Sequence, residues 1–234
     1  MYFERLQHAL PDVRARIARG LERAGRSDAD PVTIVAITKG HPPHALHAAR
    51  EVGLSVIGES RVQEAAQKRE DVGDLGLAWH LVGHLQRNKV QDALRLFEMI
   101  HSVDSLRLAR AIAEEARERG GEARILVQVN ASGEESKYGF PADDALPAIR
   151  EICEMDAVRV LGLMTMAPLT DDRGVLRATF RRTQELFELC AARVERFEAK
   201  HLSMGMTNDY EIAVEEGSTM VRLGTALFGE RRND

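Results

Sequence analysis

Cysteine is scarce in this 234-residue chain, with only Cys153 and Cys190, far apart and each inside a helical pattern. Two such residues build no disulfide scaffold, and their use fits a reducing cytoplasm. Aromatic residues make up only 5%, and no apolar run approaches the ~18 residues of a membrane span. Neither sign of charge dominates: 32 Lys+Arg stand against 37 Asp+Glu, a net of -5, interspersed along the chain. Such a balance gives no electrostatic footprint for nucleic acid. The dinucleotide fingerprint and the phosphate-binding P-loop are both missing. The opening residues carry Glu4 and Arg5 early and lack an unbroken apolar stretch, so no secretory leader is expected. Without that context the Asn130-Ala131-Ser132 sequon is set aside. What is present is 44% hydrophobic and 29% charged residues, the balance of an ordinary globular protein.

Phe3, Leu6, Leu10, Val13, Ile17 and Leu21 recur at spacings of three and four, which predicts an amphipathic N-terminal helix. Pro11 lies within it and is expected to kink or split it. From Val32 onward, short apolar runs alternate with helical periods. The runs read as strands are 32–38, 54–58, 78–82, 97–101, 124–130, 158–163, 201–204 and 220–224. The helical stretches are 43–52, 61–71, 85–94, 105–119, 143–154, 175–199 and 208–216, with a last turn after Thr225. Ser60 with Gln63, and Asn208 with Glu211, have capping-box spacing, and Asp104 is placed to cap the helix from Ser105. The strands are continuous apolar runs, as expected when helices cover one face and a packed interior the other. Eight strands, each followed by a helix, predict a single (β/α)8 barrel domain over residues 1–234 with an extra N-terminal helix; an open doubly wound sheet is the rival.

In a barrel, chemistry gathers at the C-terminal strand ends and the loops that follow them. Those positions hold Lys39, Glu59–Ser60, His84, Asn130, Met164, Ser203–Met204–Gly205 and Arg222–Gly224–Thr225. Lys39 closes the run TIVAITK, where desolvation would favour the neutral amine used in Schiff-base chemistry, unless its ammonium reaches water. The segments LSMGMTNDYE and MVRLGTALFGE each pass from strand through a small-residue turn to a helix start. Gly205 and Gly224 would admit an anion close to the backbone, while Ser203 and Thr225 add hydroxyls. Turn and capping roles are the alternative for these residues. Arg222 shares a strand face with Gly224 and needs a partner, either a ligand or a carboxylate such as Glu59. His80 and His84 make only a weak metal pair, because no Glu or Cys completes a ligand set. His41, His44 and His47 read as a solvated helix face. A lysine able to form an imine and a phosphate cradle, with an arginine between them, together suit pyridoxal 5'-phosphate.

At these residues the sequence resembles the pyridoxal phosphate homeostasis proteins, also called the YggS or proline-synthetase-co-transcribed family. The matching stretches are AITKG, IGESRVQEA, WHLVGHLQRNKV, HSVDS, ILVQVNASGEESKYGF, VLGLMTMAP and LSMGMTNDYEIAVEEGSTMVRLGTALFGER, in order from Val32 to Arg231. The resemblance implies a barrel like the N-terminal domain of alanine racemase and a cofactor imine at Lys39. It also implies phosphate contacts from Ser203, Gly224, Thr225 and nearby backbone, and Arg222 facing the pyridine nitrogen. Ser60, Met164, Met204 and Gly205 complete the expected cofactor-binding set, and no catalytic residue is assigned. An arginine does not accept the pyridinium proton, so broad carbanion chemistry is disfavoured. Of Tyr2, Tyr138 and Tyr210 none is an evident partner base, although Tyr138 fits the pocket rim. The implied role is a cytoplasmic, monomeric carrier acting in vitamin B6 and amino-acid homeostasis, with pyridoxal-phosphate-dependent apo-enzymes as recipients. An amino-acid racemase and a Schiff-base aldolase acting on a phosphorylated substrate are the alternatives. Two departures stand out: Ser60 where the family commonly has Asn, and Gly40-His41-Pro42-Pro43 after the lysine. Lys137 matches a family lysine and is a secondary candidate for cofactor phosphate.

Overall fold

The computed structural model describes residues 1–27, 31–134 and 137–230. Parts of two matching stretches, residues 135–136 and 231, therefore lie outside the described residues. The first element is α1 (Tyr2–Arg23), whose buried stripe is Leu6, Leu10, Val13, Ile17 and Leu21. Pro11 sits inside this helix, which runs on as one element, so of the two expected outcomes the split does not occur. Pro11 and Gln7, whose carbonyl loses its partner, are both exposed, so water can solvate the gap. Burying each apolar side chain contributes about 1.5–3 kcal/mol, and several of them together exceed the ~3 kcal/mol an interior proline costs.

Among the described residues nine strands follow: β1 (Thr33–Ile37), β2 (Val56–Glu59), β3 (Ala78–Leu81), β4 (Met99–Val103), β5 (Ala123–Asn130), β6 (Phe140–Pro141), β7 (Val158–Met164), β8 (His201–Met206) and β9 (Met220–Leu223). All pair in parallel. The order β4-β3-β2-β1-β9-β8-β7-β5 is closed by a β4–β5 pairing, which makes an eight-stranded ring and excludes the open sheet. The two-residue β6 lies outside that ring against β5. It was not foreseen, because two residues leave no periodic signal. Helices α2 (His44–Glu51), α3 (Val62–Val72), α4 (Val90–Leu96), α5 (Leu106–Glu118), α6 (Ala145–Cys153), α7 (Arg173–Arg193), α8 (Tyr210–Glu215) and α9 (Thr225–Phe228) surround it, with α1 packed on α2, α8 and α9.

All eight expected strands are present, with ends displaced by up to two residues. The caps differ more. Arg61, not Ser60, precedes α3, and Asp209, not Asn208, precedes α8, both without a side-chain capping bond. Ser105 caps α5 by accepting from Leu108 N, while Asp104 turns to His84 at 2.8 Å. The expected helix from Leu85 begins instead as a 3-10 turn, Arg87–Lys89, leaving residues 83–86 at the barrel mouth.

Two apolar clusters hold the molecule. The larger fills the space between strands and helices and includes Leu46, Ile57, Ile112, Ile149 and Phe180. The smaller occupies the barrel lumen with Val35, Ile37, Met99, Leu126, Leu161, Met164 and Met220. Gly58 belongs to this crowded interior: a Cβ there would lie 2.5 Å from Ile37 Cδ1 and 2.9 Å from Val35 Cγ1. Cys153 and Cys190 are buried free thiols, pushed up to about 11 and about 12 by desolvation. Among the described residues no helix is long and apolar enough to cross a membrane.

Candidate functional site

Side chains on a strand alternate between its two faces. On β1 the lumen residues are Val35 and Ile37, and Lys39 continues that alternation two residues beyond the strand. It lines a cavity of about 840 Å³ at the barrel mouth. On the neighbouring β9 the corresponding series is Met220, Arg222 and Gly224, with Arg222 in register with Val35. Arg222, Gly224 and Thr225 line the same cavity as Lys39. Ser60 lines it from the end of β2, and Thr207, Asn208 and Asp209 from the loop after β8. Thr207 Oγ1 accepts from Ala226 N at 3.3 Å, tying that loop to the first turn of α9.

Arg222 is 5% exposed. Its Nη1 donates to Ser203 O and Ser203 Oγ, both at 2.8 Å, and its Nη2 donates to Thr165 O at 2.8 Å. Among the described residues no carboxylate forms an ion pair with it, although Asp209 acts on it at longer range. Burial brings its pKa down to about 10, which leaves it charged at neutral pH. Glu59, weighed from the sequence as its partner, faces the other side of the sheet and takes Lys68 at 2.7 Å and Thr38 Oγ1 at 2.6 Å.

Below the mouth the polar chain continues. Ser203 Oγ is 3.0 Å from His101 Nδ1, and His101 Nε2 is 3.0 Å from His80 Nδ1. Desolvation lowers His80 to about 4 and holds His101 well below the ordinary histidine value, so both rings are neutral near pH 7. His80 is thus bound to His101 and not to His84. The latter is a rim residue, stacked on Tyr138 at 4.4 Å and paired with Asp104. Among the described residues no group of three or more His, Cys, Asp or Glu could hold a metal ion. His101 was missed from the sequence; its signal is alternation with Met99 on β4, which puts both in the lumen.

The remaining sequence candidates separate. Met164, Ser203, Met204 and Gly205 are buried and are not among the cavity-lining residues. Gly205 has φ +94, and a Cβ there would meet Ala213 Cβ at 2.6 Å, so packing of α8 demands this glycine. Lys137 lines the cavity and lies 3.6 Å from Glu134, and Tyr138 is on the rim at 57% exposure. His41 departs from the solvated face expected of it: it is 5% exposed, bonded to the Tyr2 hydroxyl at 3.0 Å and packed beside Phe228. His44 and His47 are exposed.

The donors at the mouth are an amine, a guanidinium, hydroxyls and an amide, a set that fits a ligand carrying an anionic group and an acceptor atom. A buried arginine with no carboxylate partner also fits a ligand acceptor at that position.

The sequence profile described as alanine racemase, N-terminal domain, matches residues 14–232. A protein of Aquifex aeolicus named pyridoxal phosphate homeostasis protein is 39% identical over 223 residues, covering 95% of this chain and 97% of its own. A Pseudomonas aeruginosa protein of the same name is 38% identical over 222 residues, covering 94% and 93%. Among solved structures, PipY of Synechococcus elongatus with PLP bound is 32% identical with a TM-score of 0.84, covering 98% of this chain and 100% of that one. Alanine racemase of Clostridium difficile has a TM-score of 0.76 at 19% identity, covering 99% of this chain and 58% of that one, a likeness of fold alone.

Proposed function

The chain belongs to the pyridoxal phosphate homeostasis family, built on the alanine racemase N-terminal domain, and from that premise we propose that it holds pyridoxal 5'-phosphate at the barrel mouth. What carries the proposal is the convergence of Lys39, Arg222, Gly224 and Thr225, from adjacent strands, on one cavity. The group would supply an aldehyde for imine chemistry, and Lys39, whose side chain lines the cavity, would hold it through its amine. Thr225, Gly224 and the loop through Thr207 and Asn208 cradle the phosphate, and Ser60 closes the side next to Lys39. Met164 and Ser203 build the wall beneath, with Ser203 fixing the Arg222 guanidinium, while Met204 packs in the outer apolar layer and Gly205 lies against α8.

Arg222 keeps its charge and donates to the ring nitrogen without surrendering a proton, so the site favours holding over electron withdrawal. The barrel and α1 act as one domain, a monomer of the cytoplasm, that releases the cofactor to apo-enzymes of vitamin B6 and amino-acid metabolism. The deciding experiment is a visible spectrum of purified protein with added pyridoxal phosphate, repeated for Lys39→Ala. A yellow imine band in the wild type and none in the variant is the expected outcome. No band in the wild type would overturn the proposal, and sustained amino-acid turnover lost in Lys39→Ala would replace the carrier with an enzyme.

A further inference from the structure

The loop that carries Lys39 is gripped from behind by a charged cluster that never reaches the cavity. Lys68, on α3, is 5% exposed. Its Nζ donates to Thr38 O at 2.6 Å, to Glu59 Oε1 at 2.7 Å and to Glu64 Oε1 at 2.8 Å. The same carboxylates hold the loop directly: Thr38 Oγ1 donates to Glu59 Oε1 at 2.6 Å, and Gly40 N donates to Glu64 Oε1 at 2.6 Å. The residues on both sides of Lys39 are thereby fastened to one ammonium group. Gly40 also has φ +71, a conformation that glycine adopts without penalty.

This cluster is expensive. Glu59 is fully buried, and among the described residues its Oε2 has no hydrogen-bond partner. A buried ion pair with an unsatisfied oxygen is commonly no more stabilising than apolar residues of the same volume. Its distinctive effect is geometric, since it fixes the backbone at Thr38 and Gly40 and therefore the direction in which Lys39 leaves the mouth. We propose that Lys68 is a positioning residue for Lys39, acting through Glu59 and Glu64 on the Thr38–Gly40 turn. The proposal rests on the cofactor assignment above for its functional meaning, but the tether itself is testable without cofactor.

The test compares wild type, Lys68→Met and the double variant Lys68→Met/Glu59→Gln, which removes the stranded buried carboxylate. Three quantities are read. They are imine formation with pyridoxal phosphate, binding of the aldehyde-free pyridoxine 5'-phosphate, and amide exchange of Gly40 in ligand-free protein. A 1 Å misplacement of a reacting group can cost up to two decades, so imine formation falls roughly tenfold or more in both variants. Binding of the aldehyde-free analogue stays within about twofold of wild type, since the groups Lys68 bonds are Thr38, Glu59 and Glu64 and none of them belongs to the phosphate loops. Gly40 exchange rises roughly tenfold in both, because its acceptor is no longer held.

Wild-type imine formation in the variants would overturn the proposal. So would a parallel loss of analogue binding, or recovery of imine formation in the double variant, since either marks a folding or charge effect. If wild type itself forms no imine, the cofactor assignment fails separately. Gly40 exchange then decides the tether, and an unchanged rate overturns it.

Discussion

Between strands and helices, Leu46, Ile57, Ile112, Ile149 and Phe180 are fully buried in a layer that is nearly all apolar. Inside the barrel the packing is mixed. Val35, Leu126, Leu161 and Met164 fill part of the lumen, but His80, His101, Ser203 and Arg222 form a buried hydrogen-bonded file beneath the mouth. Burying apolar area stabilises regardless of direction, whereas a buried polar file stabilises little and fixes orientation. The outer layer therefore holds the fold together, and the lumen file aims a guanidinium at the cavity.

The sharpest way to break this contrast is to damage each region separately. Phe180→Ala opens a cavity in the outer layer at a fully buried site and is expected to cost about 3–5 kcal/mol, measured by urea unfolding. Its cofactor spectrum per folded molecule should match wild type. A spectrum lost in step with stability would show that the two regions are not separable in this way.

Acid sharpens the comparison next. His80 is held at about 4, against an ordinary 6.5, so the folded state resists a proton that the unfolded chain accepts. Its effect on stability is absent above pH 6.5, and stability is lost progressively as pH falls from there to about 4. The total is about 3 kcal/mol at most. His101, lowered by the same burial, acts in the same direction. The surface behaves differently. Glu198, held down to about 2 by Arg159 and Lys200, loses its contribution only as pH falls from 4.5 toward 2. His80→Asn, which keeps a polar partner for His101, should flatten the urea midpoint between pH 6.5 and 4 and leave the lower window unchanged. An unaltered slope would remove the lumen histidines as the acid-sensitive element.

The outer layer was easier to read in the sequence than the lumen, for a physical reason. Strand runs such as TIVAI and ILVQV are continuous and apolar because both faces are buried, so all eight barrel strands were legible. Lys39 and Arg222 were legible too, as polar residues at strand ends on the lumen alternation. Pairing between elements was not. Lys68 lies between Gln67 and Arg69 on a helix and reads as a solvated lysine, yet it is buried through contacts with residues 30 positions away. His101 was hidden in the same way, since its partners are on β3 and β8. Local rules failed at the caps, where Arg61 and Asp209 precede helices that Ser60 and Asn208 were expected to start. There the loops line the cavity, and the tertiary site outweighs the fraction of a kcal/mol to ~2 kcal/mol that a cap contributes.

Ser203 gives the smallest effect and the finest distinction. From the sequence its hydroxyl was expected to touch the cofactor phosphate. In the structure it is fully buried and sits between Arg222 Nη1 and His101 Nδ1. Those two positions make opposite predictions for Ser203→Ala. As a member of the lumen file, the hydroxyl's loss leaves His101 short of a partner, while Arg222 retains the backbone oxygen of residue 203. The cost is then about 1 kcal/mol of stability, with cofactor affinity within about threefold of wild type. As a phosphate ligand, its loss would leave stability unchanged and weaken binding roughly tenfold or more, as expected for a hydrogen bond to a charged group. Urea midpoints and a pyridoxine 5'-phosphate titration on the same preparation separate the two. The geometry favours the first outcome, because the Ser203 hydroxyl is fully buried, is not among the cavity-lining residues and already meets a guanidinium and an imidazole.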